Sequence, residues 1–254
     1  MDKKIITRNF SKCAYLYDRY ADVQRKAALK TLGGIGANNF SNILEIGCGT
    51  GNYTQLLRKK FRQAKITALD ISAKMVAVAQ GKLKDKDIEF IVGDGESVNF
   101  PKGAFDLITS NACFQWFQDL ANTLEKYRAL LKSSGLLAFS IFGPMTFWEL
   151  SASLESLKRN TAIAAENFMH KDRIKNILKG NFRNVSVEEA VYRESFACLL
   201  ELLNKIKYTG IRGNGTSSKL SFSRQKLNEL EGVYLHKFRR IKASYQVFFC
   251  RGRA

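Results

Sequence analysis

Short apolar segments alternate with amphipathic segments along the first 142 residues of the chain. Five of the short segments are rich in branched or aromatic side chains and are predicted as buried strands, and the apolar spacing between them predicts helices. The predicted strands span residues 43–46, 65–69, 88–92, 105–109 and 136–142. Strands that alternate with helices indicate βαβ units, so we expect an α/β fold built on a parallel sheet.

The two ends of the chain follow other patterns. Apolar residues recur at three- and four-residue steps over 10–32 and predict one amphipathic helix, which ends at Gly33-Gly34. After Gly143-Pro144 the pattern predicts mainly helices. The remaining predicted elements are helices within 146–179, a strand over 185–192, a helix over 196–206, a loop over 209–223, a helix over 227–238 and a strand over 241–250.

We expect these segments to form a single domain over residues 1–254, because no internal repeat or low-complexity stretch separates them. Its predicted parts are an N-terminal lid helix (1–36), a core that carries the ligand site (41–143), a helical lid insertion (144–183) and a C-terminal part that completes the sheet with helices (184–254).

The first predicted strand runs into a glycine turn, with Gly47, Gly49 and Gly51 at alternate positions. Such a turn lets the backbone approach a ligand closely. In the dinucleotide-binding pattern Gly-x-Gly-x-x-Gly, the third glycine stands one residue later. Glu45, just before the turn, would repel a diphosphate and attract a cation. The turn therefore favours a cationic ligand over a dinucleotide.

Polar residues also end the next three predicted strands, at the sheet edge where ligands of parallel sheets bind. Asp70 lies about twenty residues beyond the turn, where an acid can accept both hydroxyls of a ribose. Asp94 with Gly95 is placed to bind the amino group and ring edge of an adenine, and Asn111 follows the fourth strand. The pattern predicts an adenosine site.

Some residues of this predicted site have a structural alternative. Asp70 could cap the following helix, whose N-cap is predicted at Ser72. Ile71 and Met75 could enclose an adenine ring, but as single apolar residues they could equally belong to the core.

Composition restricts the class of protein and leaves its partner open. Hydrophobic residues make up 45% of the chain and prolines number only two, which indicates a compact globule. The five cysteines are scattered and the two histidines isolated, so we expect reduced thiols and no metal site. With no bilayer-length apolar segment and no signal-peptide pattern at the start, a cytoplasmic protein is expected. The net charge of +18 favours nucleic acid, an anionic membrane or an acidic protein as partner, unless it only reflects a lysine-rich surface.

Together, the segments 45–51, Asp70, Asp94-Gly95, 105–106 and 130–135 resemble the motifs of the class I S-adenosylmethionine-dependent methyltransferases. The resemblance implies a Rossmann-like seven-stranded sheet flanked by helices, with S-adenosylmethionine as methyl donor, S-adenosylhomocysteine as product and no metal. The cofactor-binding residues it implies are Tyr17, Gln24, Glu45, Gly47, Gly49, Gly51, Asp70, Ile71, Met75, Asp94, Gly95 and Asn111.

The segments 8–24, 110–116, 139–150, 207–210 and 245–249 extend the similarity over nearly the whole chain. They resemble the malonyl-[acyl-carrier protein] O-methyltransferases of biotin synthesis. This resemblance implies a monomer that methylates the free carboxylate of a malonyl thioester, carried by an acidic acyl-carrier protein or by coenzyme A. Such a carboxylate is ionised at neutral pH, so no general base is expected.

Positioning of the acceptor is expected from Tyr17, Trp116, Phe168 and Arg212, the last by pairing with an anionic group. As lone aromatic residues, Trp116 and Phe168 could also be plain core. A basic stretch of the insertion is expected to dock the carrier protein, although a solvated helix face is the alternative reading. Its residues are Lys171, Arg173, Lys175, Lys179 and Arg183.

Two other functions are compatible with the same motifs. A methyltransferase acting on RNA or on another small molecule would share the cofactor site, but after the fourth strand the chain has Ser110-Asn111-Ala112-Cys113 rather than an Asn-Pro-Pro-Tyr-like segment. Nucleic acid is therefore not the expected partner. A non-catalytic protein that senses S-adenosylmethionine would also keep the glycine turn, Asp70 and Asp94.

Overall fold

The computed structural model describes residues 2–36, 39–157, 163–210 and 223–254. The strands are β1 (Asn42–Ile46), β2 (Lys65–Asp70), β3 (Ile88–Val92), β4 (Phe105–Asn111), β5 (Leu131–Phe142), β6 (Arg183–Phe196) and β7 (Ile241–Arg253). The helices are α1 (Lys3–Cys13), α2 (Tyr17–Tyr20), α3 (Asp22–Gly34), α4 (Asn52–Lys60), α5 (Ala73–Lys82), α6 (Leu120–Leu130), α7 (Trp148–Ser156), α8 (Lys171–Asn181), α9 (Leu199–Tyr208) and α10 (Arg224–Phe238). Short 3-10 helices span Phe114–Trp116 and Ala164–Asn167.

The strands form one seven-stranded sheet in the order β3-β2-β1-β4-β5-β7-β6. β1 to β5 are parallel, and β7 lies antiparallel between β5 and β6. Strand order reverses between β1 and β4, which makes the carboxyl ends of these two strands the expected ligand position. The predicted seven-stranded sheet, with an N-terminal helical lid and a helical insertion after strand five, is confirmed.

Helices cover both faces of the sheet. On one face, α3 and α4 pack on β1 through Ala28 and Leu57, which are buried. On the other face, α6 and α8 pack through Tyr127, Ile174 and Leu178. A third cluster joins β7 to α7, α9 and α10. Burial of this apolar surface stabilises the sheet and holds the carboxyl ends of its strands in fixed positions.

The prediction of a single N-terminal helix was wrong. Three helices stand there, and the chain turns at residues 14–16 and again at Ala21, whose ψ of 39° lies outside the helical region. Ala14 and Ala21 are fully buried, so small side chains at both turns allow the backbone to lie against the core. The apolar periodicity continues across the turns, which is why the sequence pattern resembles one helix.

Strand β5 starts five residues before its predicted start, directly after α6. The residues 133–135, which come just before the predicted strand, lie inside β5, and the pairing of β4 with β5 shifts register between Phe105 and Leu107. β6 and β7 are likewise longer than predicted. Most of the predicted loop over 209–223 lies outside the described residues.

The insertion after β5 divides into two parts. α7 and the second 3-10 helix stay near the carboxyl ends of the strands, where Phe168 contacts Trp116 with ring centroids 5.4 Å apart. α8 then runs along the sheet to Arg183, which pairs with Arg253 beside the first residues of β5. α8 therefore starts at the ligand edge and ends at the opposite edge. Across the described ranges, no helix is long and apolar enough to span a bilayer.

Candidate functional site

The glycine turn is fastened to the end of β2. The backbone N–H groups of Gly47 and Cys48 both donate to the carbonyl of Leu69, at 2.7 and 2.9 Å. Gly47, Gly49 and Gly51 all have positive φ angles, which favour glycine. A side chain at Gly47 would collide with the thiol of Cys113, whereas a Cβ at Gly49 would project into open space. The turn thus leaves room for a ligand above Gly49.

Asp70 closes this corner of the site. Its carboxylate accepts hydrogen bonds from the backbone N–H of Gly49 at 3.0 Å and from that of Ser72 at 2.8 Å. Burial raises the pKa of Asp70 more than these two hydrogen bonds lower it. A carboxylate can accept about four hydrogen bonds, so two acceptor positions remain for a ligand. The helix cap is made by Ser72, whose hydroxyl accepts from the N–H of Met75.

Two cavities meet at the glycine turn, one of about 730 Å³ and one of about 740 Å³. Four residues line both of them: Tyr17, Gly47, Gly49 and Asn111. Asn111 is held by its neighbours, since its amide donates to the carbonyl of Gln24 and its side-chain oxygen accepts from Ser140.

The first cavity contains the predicted adenosine residues. Asp70, Ile71, Met75, Asp94 and Gly95 all line it. Asp94 accepts a hydrogen bond from the backbone N–H of Glu96 at 3.0 Å, and the carbonyl of Gly95 accepts one from Tyr127 at 2.8 Å. The loop after β3 is thereby held in place, with its carboxylate at the cavity wall.

The second cavity is lined by Gln24, and Glu45 lies in the adjoining strand β1. The side-chain oxygen of Gln24 and both carboxylate oxygens of Glu45 are buried without a hydrogen-bond partner among the described residues. Burial raises the pKa of Glu45 to about 8; neighbouring Thr54 lowers it and the charge of Asp70 raises it further. These unpaired oxygens near one cavity suit a ligand that brings a cationic donor, beside which the Glu45 carboxyl would ionise.

Asp18 in α2 fastens the N-terminal segment to the turn, a contact that the sequence reasoning missed. Its carboxylate accepts from the hydroxyl of Thr50 at 2.5 Å, from the amide of Asn52 at 2.8 Å and from Lys82 at 2.7 Å. Burial raises the pKa of Asp18, but these partners outweigh it and lower the value overall. Its place in Tyr17-Asp18-Arg19-Tyr20 was the one signal that could have identified it.

The aromatic side chains Tyr17, Phe10 and Trp116 form a row along the first cavity, on the side of the N-terminal helices. Phe10 lies between Tyr17 and Trp116, with ring centroids 6.4 and 5.9 Å apart, and Trp116 contacts Phe168 edge to face. Phe168 touches Trp116 and does not itself line the cavity. The Nε1–H of Trp116 is buried and finds no acceptor among the described residues. Phe10 was not predicted as a site residue, because an aromatic on an amphipathic helix looks like core.

The predicted docking residues spread along α8 and beyond. Lys171 lies 3.6 Å from Glu189 of β6 at the ligand edge, whereas Arg183 donates to the carbonyl of Ala254. The separation of Lys171 and Lys179 along the helix is about 12 Å. Arg212 lies outside the described residues. Within the ranges described, no group of three or more His, Cys, Asp or Glu side chains could hold a metal ion.

Glu45 makes stability depend on pH. Because its pKa is raised from 4.5 to about 8, the folded state keeps a proton that the unfolded chain releases. This contribution to the free energy of unfolding is full below the unfolded pKa and declines as the pH rises towards the folded pKa, by at most about 1.4 kcal/mol per pH unit. We expect Glu45→Gln, which does not ionise, to remove this decline in urea unfolding between about pH 5 and about pH 8.

The matched control is Glu125→Gln on the exposed face of α6, which should keep the wild-type dependence on pH. Parallel pH profiles of wild type and Glu45→Gln would contradict a buried, protonated Glu45.

Comparison with known proteins identifies relatives along nearly the full chain. A family model described as a methyltransferase domain matches residues 44–139. Malonyl-[acyl-carrier protein] O-methyltransferase 1 of Ilyobacter polytropus is 39% identical over 241 residues, which cover 94% of this chain and 88% of the relative. The malonyl-[acyl-carrier protein] O-methyltransferase of Acetivibrio thermocellus is 34% identical over 270 residues, covering 100% of this chain and 94% of the relative.

Solved structures share the fold. The YcgJ protein from Bacillus subtilis has a TM-score of 0.64 at 14% identity, covering 90% of this chain and 97% of that one. Phosphoethanolamine N-methyltransferase 2 of Haemonchus contortus, solved with S-adenosyl-L-methionine, has a TM-score of 0.58 at 18% identity, covering 94% of this chain and 56% of that one. Since the curated relatives exceed 30% identity over nearly their whole length, this chain belongs to the family of malonyl-[acyl-carrier protein] O-methyltransferases, which are S-adenosylmethionine-dependent methyltransferases.

Proposed function

We propose that this protein transfers the methyl group of S-adenosylmethionine to the free carboxylate of malonyl-[acyl-carrier protein], an early step of biotin synthesis. The names of the curated relatives support the substrate. The observation that supports the reaction most directly is the pair of cavities at the glycine turn, with Asp70 and Asp94 in one and unpaired acceptor oxygens beside the other. We propose further that the enzyme acts as a monomer in the cytoplasm.

The first cavity fits the adenosine part of the cofactor. Asp70, held by Gly49 and Ser72, would accept the two ribose hydroxyls, and Asp94 would accept the adenine amino group. Ile71 and Met75 line the space between them and would enclose the ring. Open space at Gly49 allows the ligand to approach the backbone of the turn.

The second cavity fits the methionine part. Gln24 and Glu45 supply unpaired oxygens for its ammonium group, and Glu45 would ionise when that cation arrives. Tyr17 and Asn111, which line both cavities, would stand where the two parts of the cofactor join. S-adenosylmethionine would supply a methyl carbon that is electrophilic because it is bonded to a positively charged sulfur, and the sulfur leaves as the neutral thioether of S-adenosylhomocysteine when the carboxylate oxygen takes the methyl group.

The chain's own residues would then position the acceptor and exclude water. A malonyl carboxylate is ionised at neutral pH, so no residue has to remove a proton. Burial raises the pKa of Tyr17, so its hydroxyl stays protonated and can only donate or accept hydrogen bonds. Phe10 and Trp116, with Phe168 packed behind Trp116, would form an apolar wall beside which the opposite charges of donor and acceptor cancel as the methyl group moves.

The ribose assignment is tested by Asp70→Ala. Loss of a carboxylate that accepts the ribose hydroxyls should weaken S-adenosylhomocysteine binding by about tenfold to hundredfold, measured by titration calorimetry. Asp87→Ala, which removes an exposed carboxylate just before β3, is the control and should bind as the wild type does. Unchanged affinity in Asp70→Ala would show that the ribose lies elsewhere.

The acceptor is tested with purified protein and S-adenosylmethionine labelled in the methyl group. We expect label on malonyl-carrier protein, less on malonyl-coenzyme A and none on bulk tRNA. Label on tRNA would contradict the proposal and would support the RNA enzyme to which the charge of +18 is also suited. Cofactor binding without transfer to any of these acceptors would support a sensor instead.

We propose that the carrier protein docks on the first half of α8, where Lys171, Arg173 and Lys175 lie nearest the ligand edge. Arg173 and Lys175 are exposed, and so are Lys179, near the end of α8, and Arg183, at the start of β6. Charge reversal in Arg173→Glu/Lys175→Glu should raise KM for the malonyl-carrier protein by about tenfold and leave malonyl-coenzyme A unaffected.

The matched control is Lys179→Glu/Arg183→Glu, which makes the same change of charge at the other sheet edge and should have little effect. Equal losses with both acceptors, or equal losses in both double variants, would contradict docking at this position.

A further inference from the structure

Lys3, in the first turn of α1, reaches the loop that follows β3. Its Nζ lies 2.5 Å from Oδ2 of Asp94 and 2.6 Å from Oε2 of Glu96. Lys3 and Asp94 both line the first cavity. The sequence reasoning assigned no role to this lysine, since one basic residue beside Lys4 carries no pattern. The contact joins the start of the lid to the carboxylate proposed to bind adenine.

Asp94 keeps acceptor capacity while Lys3 is bound. Its Oδ1 accepts from the backbone N–H of Glu96 and its Oδ2 from Lys3. Since a carboxylate accepts about four hydrogen bonds, two acceptor positions remain. The side chain of Asp94 is 26% exposed, so a ligand in the cavity can reach it without displacing Lys3.

Glu96 gives Lys3 a second, immobile anchor. Its carboxylate accepts from the backbone N–H of Gln118 at 3.0 Å and of Asp119 at 2.8 Å, just before α6. Its side chain is only 10% exposed. The ion pair of Lys3 with Glu96 therefore does not depend on its contact with Asp94. The positive charge of Lys3 between the two carboxylates reduces the repulsion between them.

Lys3 stays protonated, and therefore positively charged, in this environment. Burial lowers its pKa, but the hydrogen bonds and charges of Asp94 and Glu96 outweigh this effect and hold the pKa above its usual value. At its other end, α1 is tied to the ribose corner, where Ser11 and Ser72 exchange a hydrogen bond of 2.8 Å. α1 thus spans the first cavity with a polar contact near each end.

We propose that Lys3 is a positioning residue of the cofactor site: by holding Asp94 against the cavity, it orients that carboxylate towards the adenine amino group. This inference rests on the assignment of Asp94 to adenine made under the proposed function. Without Lys3, Asp94 and Glu96 repel each other and the Asp94 carboxylate turns towards solvent. The contribution of the adenine amino group to binding then depends on Lys3.

The test compares two ligands that differ only in this group. Titration calorimetry measures the affinity for S-adenosylhomocysteine and for its purine analogue, in which hydrogen replaces the adenine amino group. We expect wild type to prefer S-adenosylhomocysteine by about tenfold or more, as for a hydrogen bond to a charged group, and Lys3→Met to reduce this preference below about threefold. Lys3→Arg, which can still pair with both carboxylates, should restore most of it.

Lys4→Met is the matched control, because Lys4 is exposed and forms no ion pair within the described ranges. It should keep the wild-type preference. If Lys3→Met keeps the preference, loses affinity equally for both ligands, or binds S-adenosylhomocysteine more tightly, the positioning role is wrong while the adenine assignment stands. If the wild type itself shows no preference, Asp94 does not bind the amino group, and both the assignment and this inference fail.

Discussion

The hydrogen bonds between the glycine turn and the end of β2 are the contact on which the site depends. They join the carboxyl ends of two neighbouring strands: Leu69 holds the start of the turn, and Asp70 holds Gly49. Three successive backbone N–H groups of the turn, those of Gly47, Cys48 and Gly49, therefore bond to the last two residues of β2, and these contacts set the position of the turn relative to the Asp70 carboxylate. The sheet order, which reverses beside β1, leaves the space above this contact open.

Charge is distributed differently on the surface of the chain and inside the site, and each distribution suits a different partner of the proposed reaction. The chain carries a net charge of +18, yet Asp70 and Asp94 line the first cavity, and Glu45 is buried nearby in β1. A basic exterior suits an acidic carrier protein, and an acidic interior suits a cationic cofactor. Net charge therefore says little about the ligand of the site, since the local carboxylates decide what binds there.

The N-terminal segment acts as part of the site rather than as a separate appendage. Lys3 binds the loop after β3, Ser11 shares a hydrogen bond with Ser72 at the start of α5, and Asp18 bonds to the glycine turn and to Lys82 of α5. Further contacts reach the C-terminal half of the chain: Lys205 of α9 pairs with Asp22, and the rings of Tyr20 and Tyr208 stack 4.9 Å apart. The segment thereby contacts the glycine turn, the loop after β3 and the first helix after β6.

The amino-acid sequence by itself determined the alternating strands and helices, the glycine turn and the acids at the strand ends. The spacing of apolar residues predicts the strands and helices. Because ligands of parallel sheets bind beyond the carboxyl ends of the strands, Asp70 and Asp94 are predicted to lie close together before any side-chain contact is known. Only the tertiary structure decided the bends at Ala14 and Ala21, the path of α8 away from the glycine turn and the contacts that Lys3, Phe10 and Asp18 make. Each of these features depends on contacts between residues far apart in the chain, such as Lys3 with Asp94. The local sequence pattern cannot predict such contacts.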